Sequence, residues 1–346
     1  MDIIAFSDLV VKWSDRKSRN LEVAERMKQA GFAKRAAAME GCGDLLQFNK
    51  CPECGRTELS SANFCRDRLC PTCAWRLSLR RYAEMCCVMG EISEQIKPQG
   101  AAFLTLTVKN CYPDALRETL QNMAKAWNRM LARRTIKPLF TGWARSVEVT
   151  YNPQSATFHP HFHVVLILSD LGAHLGEGVL RRTLSDAWWD AVKTNYRPVT
   201  DYKLIDHHGD GDLLCDDEDL HHAILETYKY TVKHGDLMEM PLGVFRTFVL
   251  SMAGIRVASF GGCIKDARRL LGYREDDDRE EEAAKEPGRA CPDCGTAMRA
   301  AMLRWSFTGR HYDLIMMNAA EKSDPDTAGD PTTKAPERYD FSRRAL

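Results

Sequence analysis

The segment FHPHFHVVL, Phe158 to Leu166, places a histidine at every second position and then runs straight into apolar residues. In a β-strand successive side chains point to opposite faces, so His161 and His163 project together while Phe162 and Val164 pack on the other side. His159 has the same parity, with Pro160 setting it at the strand's entrance. Upstream, WARSVEVTYN (143–152) reads as a second strand, joined to HFHVVLIL (161–168) through the turn PQSA. It carries Glu148 between Val147 and Val149, and an acid among apolar neighbours is costly unless it is paired or bound to a cation. Two imidazoles and one carboxylate with open positions suit Mn²⁺ or Mg²⁺ handling phosphate oxygens, and Zn²⁺ or Fe²⁺ would also fit.

Outward from this hairpin, AAFLTLTVKN (101–110) alternates as a strand, and a helix is expected from about Asp114 to Arg134. A second helix covers Gly176 to Lys193, VTDYKLI reads as a strand, and HHAILETYKYTVKHG (221–235) has helical spacing. That order predicts an α+β fold, an antiparallel sheet with helices packed mainly on one face. In the last segment Glu226 and Tyr230 are four residues apart on one helical face, with His222 one turn earlier and Lys233 three residues further on. A tyrosine beside a divalent metal can attack a phosphodiester while the metal polarises the phosphate and a lysine stabilises developing charge. Tyr228 points to a different face of such a helix.

With 44% hydrophobic and 28% charged residues among 346, the chain has the composition of a soluble globular protein of one large domain or two small ones. There is no run of about eighteen apolar residues, and MDIIAFSDLVVKWSDRK lacks a secretory leader's apolar region. The expectation is a cytoplasmic protein with no membrane partner. The formal net charge of zero hides an asymmetry: residues 1–147 hold 24 Lys and Arg against 15 Asp and Glu, and the remainder carries the opposite excess. Much of the compensating acid lies in DHHGDGDLLCDDED (206–219) and EDDDREEE (275–282), which leaves the N-terminal half free to face a polyanion. The helix after Cys73 carries Arg76, Arg80 and Arg81, and Lys109 ends the first strand of the sheet; with Arg66 and Arg68 these are candidate phosphate contacts.

Thirteen cysteines, an odd number, in a chain expected to be cytoplasmic point to metal binding rather than disulfides. Cys51-x2-Cys54-x15-Cys70-x2-Cys73 has the spacing of a structural zinc ribbon. Cys42 lies just before this stretch and Cys65 within it, and a third CPxC pair, Cys291 and Cys294, lies near the other end.

NFCRDRLCPTCAWRLSLRR, FLTLTVKN, GWARSVEVTYN, FHPHFHVVL, ETYKY and RVASFGG occur in that order over roughly residues 40–265. Together they resemble the rolling-circle replication initiators of small bacterial plasmids, and more broadly the HUH endonucleases, named for two histidines around a hydrophobic residue. The resemblance implies a ferredoxin- or RRM-like antiparallel palm in which His161, His163 and Glu148, with His159 beside them, hold Mn²⁺ or Mg²⁺. It implies that Tyr230 is the nicking nucleophile, leaving a 5′-phosphotyrosine and a free 3′-hydroxyl, and that Glu226 activates water for the terminating cleavage. Relatives with two catalytic tyrosines exist, which brings in Tyr228. Implied partners are plasmid origin DNA, at a double-strand origin with a single-stranded nick site, and the host helicase and DNA polymerase. The family motif would make Cys42, Cys65, Cys70 and Cys73 the Zn²⁺ set and leave Cys51 and Cys54 to pair with Cys291 and Cys294.

The resulting division is a basic zinc-binding module over 1–97, a nicking domain over 98–273, a linker with a small CPxC segment over 274–319, and a disordered tail over 320–346. The acidic insert and the CPDC segment depart from the plasmid pattern. Rival readings are a transposase- or relaxase-type nickase, a non-enzymatic zinc-dependent DNA-binding regulator, and a metal-dependent hydrolase of small phosphate esters.

Overall fold

The computed structural model describes residues 6–96, 100–205, 218–228, 231–273 and 289–317. Most of the acidic insert, the acidic block at 275–282, Tyr230 and the tail from Ala320 lie outside these residues. The chain divides into two compact units, one of residues 1–76 with 278–346 and the other of residues 77–277.

In chain order the elements are α1 (Phe6–Gln29), α2 (Ala33–Glu40), β1 (Leu45–Lys50), β2 (Thr57–Ala62), α3 (Pro71–Ile96) and β3 (Ala101–Thr107). There follow α4 (Leu116–Leu131), β4 (Phe140–Asn152), β5 (Thr157–Leu168), α5 (Asp170–His174), α6 (Glu177–Val192), β6 (Thr200–Ile205) and α7 (Glu218–Thr227). The last are α8 (His234–Glu239), α9 (Leu242–Met252), β7 (Ala258–Gly262), α10 (Cys263–Leu270), β8 (Arg299–Ser306) and β9 (His311–Met317). Residues 6–40 form two helices rather than one. Gly31, at φ +87°, ends α1: its N–H donates to the Lys28 carbonyl while that of Phe32 reaches back to Met27.

In the first unit the sheet order is β2-β1-β8-β9, all pairs antiparallel. Trp13 of α1 packs with Leu46 and Phe48 of β1, Leu303 and Trp305 of β8, and Tyr312 of β9. Residues 299–317 therefore complete this sheet rather than forming an appendage. The sequence division had separated them because the pairing β1–β8 joins strands far apart in the chain.

The second unit is built on a five-stranded antiparallel sheet of order β6-β3-β5-β4-β7. β5, the histidine strand, is central. On one face α4 and α6 present apolar stripes: Leu116, Leu120, Met123, Trp127 and Met130 on α4, and Leu180, Leu184 and Trp188 on α6. Trp127 meets Trp143 of β4 edge-on, and Trp188 packs against Phe162. The expectation of cover mainly on one face needs correction. Every residue from Val164 to Leu168 is buried, and since alternate side chains face opposite ways, both faces of the sheet are covered there.

The edge strand β7 comes from the RVASFGG motif, and its glycines have a steric cause. A Cβ at Gly261 would collide with the Trp143 indole, and Gly262 (φ +59°) leaves no room beside the Thr141 carbonyl. The helix read over 221–235 is also corrected. α7 stops at Thr227, residues 231–233 are not helical, and the Thr231 carbonyl accepts from the Val149 N–H of β4 at 2.8 Å. The β4 edge therefore claims a carbonyl that a continuous helix would have kept. No helix among the described residues is long and apolar enough to cross a membrane.

Candidate active site

Antiparallel register places Glu148 directly opposite His161, and Ser146 opposite His163. Glu148, His161 and His163 consequently project from one face of the central hairpin, all largely buried, with donor atoms within 4.8 Å of one another. One carboxylate oxygen, Glu148 Oε2, accepts from His161 Nε2 at 3.0 Å and from His163 Nε2 at 2.9 Å. Burial alone would raise the Glu148 carboxyl. The hydrogen bonds from the two imidazoles outweigh burial and hold it well below the usual carboxylate range.

Each ring is oriented from behind. His161 Nδ1 donates to the carbonyl of His159 at 3.3 Å, and His163 Nδ1 lies 3.4 Å from Thr105 Oγ1 on the neighbouring strand β3. Phe103 stacks on His163 at 5.5 Å with the rings 11° from parallel. Such contacts fix the tautomer and aim both Nε2 atoms at a common point, as in protein metal sites. The donor set, one held carboxylate and two aimed imidazoles, fits a divalent cation.

His159, expected beside the metal, stands outside this group. Its Nδ1 lies 2.9 Å from Asn110 Oδ1, and burial with the neighbouring His161 lowers its pKa. Glu226 lies on α7 and is half-buried; Lys233 is exposed just before α8. Tyr230 lies outside the described residues, so the face it was expected to share with Glu226 rests on a helix that ends three residues short of it. Tyr228 is 3% exposed, and its hydroxyl finds no hydrogen-bond partner among the described residues. Burial pushes its phenol up against the opposing influence of Arg81.

The first unit gathers its cysteines into two groups of four, Cys42 with Cys65, Cys70 and Cys73, and Cys51 with Cys54, Cys291 and Cys294. The ribbon spacing that paired Cys51 and Cys54 with Cys70 and Cys73 is not the one assembled. In the first group Sγ atoms lie 3.5, 3.6 and 3.7 Å apart, and the backbone N–H groups of Cys65 and Arg66 donate to the sulfurs of Cys42 and Cys73. Hydrogen bonds from Cys42, Cys65 and Cys70 hold the Cys73 thiol far below the ordinary range. Lys17, fully buried, fastens the loop bearing Cys42: its ammonium donates to the carbonyls of Glu40 (2.5 Å) and Cys42 (2.8 Å) and pairs with Asp44 (2.6 Å).

In the second group Cys51 and Cys294 approach to 3.4 Å, and Cys54 and Cys291 to 3.5 Å. Two equivalent turns build it, each CPxC followed by glycine at positive φ: Gly55 at +73° and Gly295 at +74°. Arg56 pairs with Asp293, and Arg289 grips both oxygens of Glu58 at 2.6 Å, tying the turns together. The duplicated CPxCG was the signal in the sequence that could have chosen this grouping over the ribbon.

Of the basic residues, Arg66 and Arg68 are exposed beside the first cysteine group, and Arg76 stacks on Phe64 at 3.8 Å. Arg80 and Arg81 are half-buried on α3, and Lys109 lies over the Tyr196 ring at 4.4 Å.

A sheet-borne triad able to hold a divalent metal, with two thiol clusters of metal-site spacing, defines a metal-handling class of protein. Comparison with known proteins narrows it. The replication protein family matches residues 56–313. "Protein rep" of Streptococcus pneumoniae serotype 2 (strain D39 / NCTC 7466) is 33% identical over 264 residues, covering 75% of this chain and 79% of that protein. "Protein rep" of Lactiplantibacillus plantarum is 28% identical over 87% of this chain and 94% of its own length, and that of Lentilactobacillus hilgardii 30% identical over 77% and 84%. No solved structure matches. The chain belongs to the replication protein family.

Proposed function

We propose that this chain initiates rolling-circle replication of a plasmid by binding the origin and nicking one DNA strand. The observation that carries the reading is the Glu148–His161–His163 triad on the central hairpin. A divalent metal bound there, Mn²⁺ or Mg²⁺, would polarise the scissile phosphate and screen its charge. Glu148, His161 and His163 would hold it.

The Tyr230 oxygen attacks the phosphorus, forming a phosphotyrosine bond to the 5′ side, and the 3′ oxygen departs to take up a proton as the free 3′-hydroxyl. The ester energy is conserved in the phosphotyrosine, so rejoining needs no ATP. Lys233, exposed just beyond, offsets charge on the phosphate, and Glu226 serves as the base for a water that hydrolyses the intermediate at termination. The burial of Tyr228 supports Tyr230 as the nucleophile, since a sealed phenol cannot reach a strand of DNA. The two cysteine groups would each take a structural Zn²⁺ and stiffen a module whose Arg66, Arg68 and Arg76 grip phosphates; Arg80, Arg81 and Lys109 are further phosphate contacts.

The test incubates the protein and its Tyr230→Phe variant with supercoiled cognate plasmid and Mn²⁺ or Mg²⁺, followed by a denaturing gel. A covalent adduct in the parent that vanishes in the variant supports the reading. An adduct that persists would move the nucleophile to Tyr228. DNA binding without nicking under every divalent metal would favour a zinc-dependent regulator.

A further inference from the structure

Arg145 of β4 is 6% exposed, yet no carboxylate among the described residues pairs with it. Its guanidinium lies over the Phe162 ring at 4.2 Å and beside that of Trp127 at 5.7 Å. Its Nε and Nη1 are sealed from solvent and find no hydrogen-bond acceptor among the described residues. Two neighbours share the defect. The buried indole Nε1 of Trp127 has no acceptor, and the hydroxyl of Ser259, the cross-strand partner of Arg145, has no partner. Four sealed polar atoms from three elements thus border one spot on the sheet, and three of them can only donate.

Burying an arginine without a counter-charge is expensive, and most buried charges are paired for that reason. Here burial and the nearby positive charge of Arg256 push the guanidinium down to about 10. A water molecule could accept two hydrogen bonds but would leave the charge uncompensated. An oxyanion answers both shortages, because it carries the missing charge and offers several acceptors to a planar fork. We infer that Arg145, Trp127 and Ser259 form a binding site for a phosphate-class oxyanion, separate from the metal triad. Arg145 is three residues from Glu148 along β4, so the two side chains leave opposite faces of the sheet, and the anion cannot be the scissile phosphate. The ligand is a free phosphate or a phosphate of the DNA backbone, and the site's burial favours the free ion.

The experiment uses the full chain and inorganic phosphate, with sodium chloride matched for ionic strength as control. Phosphate should raise the melting temperature in proportion to the logarithm of its concentration above the dissociation constant, by about 5 °C at about a hundred times that constant. Arg145→Met should melt no lower than the parent in chloride and lose the response. Should that variant fold poorly, Arg145→Lys keeps the charge but not the fork, and its half-saturating phosphate concentration should rise at least tenfold. The sources separate with a labelled single-stranded oligonucleotide: unchanged affinity in Arg145→Met identifies free phosphate, whereas weakened binding that phosphate also competes away identifies the DNA backbone. The inference is overturned if phosphate stabilises the parent no more than chloride does and DNA affinity is the same in both proteins, the outcome expected if the donors meet ordered water alone.

Discussion

The grouping of cysteines makes a prediction about metal count that the ribbon spacing does not. With Zn–S bonds of about 2.3 Å at tetrahedral angles, sulfurs around one Zn²⁺ stand about 3.8 Å apart. The Sγ separations, 3.4 and 3.5 Å in one group and 3.5 to 3.7 Å in the other, fall slightly short of that, so each group needs only a slight expansion. The parent should therefore carry two zinc ions. Structural zinc contributes about 10–16 kcal/mol in small peptides, so one ligand in four is worth roughly 2.5–4 kcal/mol, or about 10²- to 10³-fold in affinity. Cys54→Ser and Cys70→Ser should each lose one zinc to a chelator that leaves the parent intact, and the double variant should lose both. Native mass spectrometry after chelation and gel filtration counts the ions. In the ribbon grouping Cys54 and Cys70 share a site, and the double variant would match either single one. A double variant that keeps one zinc, or a Cys291→Ser protein that keeps two, would refute the assignment.

Thr105→Val removes the hydroxyl behind His163 and should weaken Mn²⁺ binding at the triad about 10- to 100-fold by calorimetry, with little change in unfolding midpoint. Lowering the pH from about 8 to about 5 should weaken the same binding progressively. Binding at the two Nε2 atoms that donate to Glu148 in the metal-free chain must release those protons to solvent, while Glu148, held low, stays a carboxylate throughout. Tyr228→Phe deletes a buried hydroxyl with no partner among the described residues, so urea unfolding should show it to be as stable as the parent or about 1 kcal/mol more so, and adduct formation should be unchanged. Gly262→Ala must hold a side chain at φ +59° against the Thr141 carbonyl and should cost at least about 1–3 kcal/mol; a neutral midpoint shift would contradict the steric account of RVASFGG.

Much of the candidate site was legible before any coordinates. Parity alone places His161 and His163 on one face, and a hairpin with an isolated acid brings Glu148 to them, because the two-residue repeat of a strand is a local property that neighbouring residues dictate. The alternation of FLTLT and the stripes of α4 and α6 are local in the same sense. What only the tertiary structure decided concerns partners far apart in the chain. Cys51 meets Cys294 across 243 residues, β8 pairs with β1, and α7 gives up its continuation when β4 takes the Thr231 carbonyl. Periodicity says which way a side chain points, whereas the group it meets depends on how distant segments close on one another. For the same reason nothing in the alternation of WARSVEVTYN sets Arg145 apart, and only the packing around it reveals a buried charge with no acid among the described residues to balance it.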